Sequence, residues 1–142
     1  MKKIIALALT VLMCVAVLTS CSFNTIEKDP EELAKIYEEK EYCEYKAVID
    51  DSEESIQSGN KFFDVSEVYC VVSIVREKYP EKTGYFFYCN SNKAAKDLVK
   101  AINEHVEQEE NLFKDVEPFI VEREGNIVFA GCEYAWAYRI AE

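Results

Sequence analysis

Six cysteines, one histidine and a surplus of carboxylates are the side chains here with chemical reach, and their spacing limits what they can do. The cysteines stand at positions 14, 21, 43, 70, 89 and 132, with no CxxC pair of the kind that zinc sites and dithiol redox centres use. His105 is the sole candidate base for a nucleophilic couple, and it sits at the edge of an apolar helical stripe, where a boundary histidine is the simpler reading. Asp50, Asp51, Glu53 and Glu54 crowd four carboxylates together. They lack the alternation and the turn glycine of a calcium loop, so a solvated loop fits better. The chain holds 27 acids, which offer many carboxylate pairs but no glycosidase signature. With only four glycines it carries no Gly-rich phosphate loop, and GxSxG, HExxH and Rossmann spacing are missing. No cofactor, no metal and no catalytic residue are expected.

The N-terminus speaks more clearly. Lys2 and Lys3 precede an uncharged apolar run from Ile4 to Leu18. As a helix the run would span only about 22 Å, short of a bilayer core, and no basic stop-transfer cluster follows. It ends in Leu18-Thr19-Ser20-Cys21: aliphatic, small, small, cysteine. These 21 residues resemble the lipobox signal peptide of bacterial lipoproteins. The resemblance implies diacylglyceryl transfer to the Cys21 thiol, cleavage after Ser20, and palmitate-type acyl chains that anchor the protein to the cell membrane on its extracytoplasmic side. Two acyl chains hold stably where one is marginal. Residues 1–20 are then the signal, 21–28 a lipidated tether reaching roughly 25 Å, and 29–142 a single domain.

Removing the signal changes two balances. Lys2 and Lys3 leave with it, so 14 basic face 27 acidic side chains, a formal charge of −13. Such a surface argues against nucleic acid and against adhesion to anionic lipid headgroups. Of the cysteines, Cys43, Cys70, Cys89 and Cys132 remain as pairable thiols. If Arg76 faces Thr83 across the intervening turn, Cys70 falls opposite Cys89, Val72 opposite Phe87 and Ile74 opposite Tyr85. A Cys70–Cys89 disulfide is the first expectation, leaving Cys43 with Cys132. The alternative is four reduced thiols serving as small buried apolar groups.

These residues need elements to position them. Asp29-Pro30-Glu31-Glu32 is a helix start, and Leu33, Ile36 and Tyr37 recur at helical spacing, which predicts a helix over 30–41. Residues 42–49 read as a strand with Tyr45, Ala47 and Ile49 on one face, and 50–60 as a loop with at most a short helical turn. Residues 65–76 and 84–89 are the strongest strands, apolar on both faces and therefore central, with something packed on each side. A helix over 92–109 buries Ala95, Leu98, Val99, Ile102 and Val106. Residues 119–123 and 127–130 form a hairpin around Gly125-Asn126, and 132–140 reads as a last helix or, failing that, an edge strand. The class is α+β: an antiparallel sheet of about five strands with two or three helices, in the order α-β-β-β-α-β-β-α. The stretches NKAAKDLVKAI and VEREGNIVFAG loosely resemble small lipoproteins of anaerobic Gram-positive bacteria, a family with no settled activity.

The leading expectation is a non-catalytic, membrane-anchored binding or interaction domain at the cell envelope. It would meet the bilayer through Cys21 and an envelope protein or glycan through its surface. Rivals are a small exported hydrolase or thiol redox enzyme, and an accessory solute-binding lipoprotein. A deep pocket enclosing His105 would favour an enzyme. A flat exposed aromatic patch with no cleft, drawn from Tyr85–Tyr88 or from Tyr134, Trp136 and Tyr138, would favour binding.

Overall fold

A computed structural model of the chain describes residues 29–39, 44–79, 83–109, 118–133 and 135. Their order is α1 (Pro30–Glu38), β1 (Tyr45–Asp50), α2 (Glu53–Gly59), β2 (Val68–Arg76), β3 (Gly84–Cys89), α3 (Asn92–Gln108), β4 (Phe119–Glu124) and β5 (Ile127–Cys132). The five strands form one antiparallel sheet, β1-β2-β3-β5-β4, with β3 at its centre. The α+β class, the five-stranded antiparallel sheet and the helices α1 and α3 stand as the sequence pattern predicts. The exception is α2, a full helix where a loop with a turn was expected.

Each helix begins on a side-chain cap. The Glu32 N–H donates to Asp29 Oδ1 at 2.8 Å, and Pro30 occupies a position whose N–H would have no helical partner. Ser91 Oγ accepts from the Ala94 N–H at 3.1 Å to open α3. Ser52 Oγ accepts from the Ser55 N–H at 3.4 Å to open α2, where Glu53 and Glu54 meet the positive end of the helix dipole. The acidic knot at 50–54 is therefore a helix start.

Both faces of the sheet are covered, which is why β2, β3 and β5 are apolar throughout. On one face α1 lays Leu33, Ala34 and Tyr37 over Tyr45, Val72, Ile74, Phe86, Tyr88 and Phe129. Tyr37 packs edge-on to Tyr45 at 5.4 Å, and its buried hydroxyl donates to the Ala135 carbonyl at 2.6 Å. On the other face α3 sets Ala95, Leu98 and Ile102 against Val71, Phe87, Val128 and Ala130, while α2 adds Ile56. The consecutive rings 85–88 divide accordingly, Phe86 and Tyr88 toward α1, Tyr85 and Phe87 toward α3.

Two glycine positions set the geometry of the β3–β5 side. Gly84 and Gly131 are direct cross-strand partners, and a Cβ on Gly84 would lie 2.5 Å from Phe129 Cε2. The Phe129 ring thus fills the space that a side chain would need. At the β4–β5 turn Gly125 has φ 58°, a conformation costly for other residues, and Asn126 Nδ2 donates to the Cys89 carbonyl at 2.8 Å.

The expected Cys70–Cys89 disulfide is not formed. The β2–β3 register runs one residue differently from the expected one, pairing Val71 with Phe87 and Cys70 with Tyr88, and an irregularity between Val68 and Cys70 brings Val68 opposite Cys89. A shift of one residue exchanges the faces. Cys70 lies in the α1-side core and Cys89 in the α3-side core, both as free thiols. Cys132 ends β5 and is buried, whereas its expected partner Cys43 lies outside the described residues. Cys21 and the signal and tether segments also lie outside them, as does the expected helix at 132–140 apart from Glu133 and Ala135.

Candidate functional site

Helices α2 and α3 do not close over the whole sheet face between them. The antiparallel register sets Val48, Ser73, Tyr85, Ala130 and Val121 side by side in one cross-sheet row. In that row Val48 is 58% exposed and Tyr85 is 42% exposed, so the row is only partly roofed. Above it lies a cleft of about 690 Å³. That volume falls within the range of small-molecule sites, roughly 300–1,000 Å³.

The floor comes from Val71 and Ser73 of β2, Tyr85 and Phe87 of β3, and Ala130 of β5. One wall is α2 with the chain that follows it: Ser55, Ile56, Ser58, Asn60, Phe62 and Phe63. The opposite wall is the C-terminal half of α3, with Ile102, His105, Val106 and Glu109. Asp50 and Phe119 complete the lining.

The two walls touch through rings. The His105 imidazole stacks on Phe62 at 4.8 Å with the planes 17° apart, and lies tilted to Phe63 at 6.4 Å. Phe63 in turn meets Phe87 edge-on at 6.1 Å. Phe62 itself is 74% exposed, an apolar ring held in place by a histidine and left open to solvent on its other side. Polar groups are fewer and already partly engaged. Asp50 Oδ1 accepts from the Ser52 N–H at 3.1 Å, and its Oδ2 accepts from the Ser55 hydroxyl. Asn60 Nδ2 donates to the Ile56 carbonyl at 2.8 Å, closing the end of α2.

His105 therefore does line a pocket, the feature expected to favour an enzyme. Its described contacts, however, are with phenyl rings, and the Ser55 hydroxyl in the same cleft donates to Asp50. A nucleophile–base couple needs the two groups in hydrogen-bond reach of one another. Among the described residues no such bond joins His105 to Ser55, Ser58 or Asp50. The Cys70 and Cys89 thiols are buried in the two cores. Burial, with a smaller push from Asp51 and Asp50, raises Cys70 to about 11, and burial with Glu67 raises Cys89 to about 11. Thiols held protonated in apolar surroundings are poor nucleophiles. Among the described residues no three His, Cys, Asp or Glu side chains gather to hold a metal, and no helix is long and apolar enough to cross a membrane.

Sequence reasoning singled out His105 and Tyr85–Tyr88 but missed Phe62, Phe63, Ser55 and Ser73. The available signal was Phe62-Phe63 itself, two adjacent rings in a polar stretch beside an amphipathic helix, where at least one must find an apolar partner. Tyr134, Trp136 and Tyr138 lie outside the described residues. Comparison with protein-family models, curated proteins and solved structures finds no match to this chain.

Proposed function

We propose that the chain is a lipid-anchored, non-catalytic binding domain at the outer side of the cell membrane, and that the cleft between α2 and α3 is its binding site. The observation that carries the binding assignment is the cleft's make-up: a mainly apolar, ring-lined floor and walls, with a few hydroxyl, amide and carboxylate groups at the edge. That division of labour is how small-ligand sites work, apolar surface supplying affinity and sparse polar groups fixing orientation. The anchor assignment rests on the lipobox at Leu18–Cys21 and on a tether of seven residues, which keeps the domain within tens of ångströms of the bilayer.

Two measurements test the two halves. Cells grown with a clickable palmitate analogue should label the wild-type protein and not Cys21→Ala; label that survives the substitution sinks the anchor. Protein isolated from its own membranes should release a small molecule on denaturation, at about one per chain, and Phe62→Ser/Tyr85→Ser should release far less. Equal recovery from both proteins, or none from either while both are folded, contradicts the binding assignment.

A further inference from the structure

Resting on that reading of the cleft, we infer that its ligand is a small organic cation: an amine or quaternary ammonium carried on an apolar body. Three features of the lining converge on this. First, no Lys or Arg is among the described lining residues, whereas Asp50 and Glu109 are. The flanks repeat the sign: Asp51, Glu53 and Glu54 stand beside the α2 wall, and Glu107 beside the α3 wall. Of the nearby lysines among the described residues, two are paired with carboxylates and one is exposed to solvent. Lys46, on the same sheet face, bonds Glu77; Lys100 pairs with Glu104 at 3.7 Å; and Lys61 is an exposed neighbour of Phe62. Among the described lining residues the formal charges are therefore negative, and the whole chain's net charge of −11 has the same sign.

Second, Phe62 and Tyr85 present exposed rings in the same cleft. An aromatic face carries a negative quadrupole that attracts ammonium groups and has nothing to offer an anion. Third, Phe63, Phe87, Ile56 and Ile102 give an apolar body somewhere to lie, within about 690 Å³. A cation without such a body would leave this surface wet, and an apolar body without a cation would make no use of the Glu109 carboxylate.

The test uses three soluble probes that share one body and differ in charge: phenylbutylamine, phenylbutanol and phenylbutyrate. Each is titrated calorimetrically into the intact chain held in nanodiscs, with empty nanodiscs subtracted. The amine should bind about tenfold more tightly than the alcohol, the sum of one exposed cation–π contact and one partly screened ion pair, and the butyrate most weakly. In Glu109→Gln, an exposed position outside the core, the amine's advantage should fall roughly threefold, and added salt should shrink it in the wild type. Phe62→Ser should weaken both amine and alcohol, the amine more than the alcohol. Amine and alcohol binding equally, with both lost in Phe62→Ser, overturns the cation and leaves the cleft standing. Tighter butyrate overturns it too. No binding of any probe by the folded chain overturns cation and cleft alike.

Discussion

Alkylation of Cys70 and Cys89 in the native protein should be slow by a factor the structure lets one work out. Burial raises both thiols from an ordinary 9.0 to about 11. At pH 8 such a thiol is thiolate in about one molecule per thousand, against about one in ten at the ordinary value, so ionisation alone slows reaction about 100-fold. Side-chain exposure of 3% for Cys70 and 0% for Cys89 removes the approach path as well, so reaction waits on opening of the fold. The assay is a timed iodoacetamide pulse at pH 8, native against denatured, with the Cys70 and Cys89 peptides quantified by mass spectrometry. The linkage has a definite sign. The fold favours the neutral thiol, so this contribution to stability is complete below pH 9 and is lost as pH climbs toward 11. Native alkylation within about tenfold of the denatured rate, or a Cys70–Cys89 linked peptide in a non-reducing digest, would refute the opposed-face arrangement.

Other substitutions probe the packing. Gly84→Ala drives a Cβ to 2.5 Å from the Phe129 ring and should cost about 1–3 kcal/mol in chemical denaturation. Gly59→Ala, with nothing within 4 Å at the last residue of α2, should be neutral or stabilise by up to about 1 kcal/mol. Tyr37→Phe removes the buried hydroxyl that donates to the Ala135 carbonyl at 2.6 Å, and a loss of about 0.5–1.5 kcal/mol is expected from the same measurement. Phe62→Ser, at a ring that is 74% exposed, should leave stability within about 0.5 kcal/mol while weakening binding in the cleft.

Much of this fold was legible because local signals agreed with the global one. Asp29-Pro30 and Ser91 are caps with a mechanism, and both helices start on them. Apolar residues on both faces of β2 and β3 announced a sheet covered twice, and β3 is indeed the central strand. Three things were harder to read. The register of β2 against β3 depends on the turn and on the irregularity near Cys70, neither of which leaves a hydrophobic trace, because both faces are apolar. Helix α2 hides among acids and serines, its single buried residue Ile56 giving no periodicity to find. The cleft exists because α2 and α3 stop short of one cross-sheet row, a gap between elements that no residue's type encodes. His105 looked like a boundary residue, and so it is, but the boundary it occupies is the wall of the cleft.

The most direct check on the cleft is hydrogen exchange of the intact, membrane-held chain with and without saturating phenylbutylamine. The amide protection gained should map to residues 60–63, the Tyr85–Phe87 stretch of β3 and the Ile102–Glu109 end of α3, the segments that line the cleft. Protection confined to the β1 edge or the α1 face, with those three segments unchanged at saturation, would contradict the site proposed here.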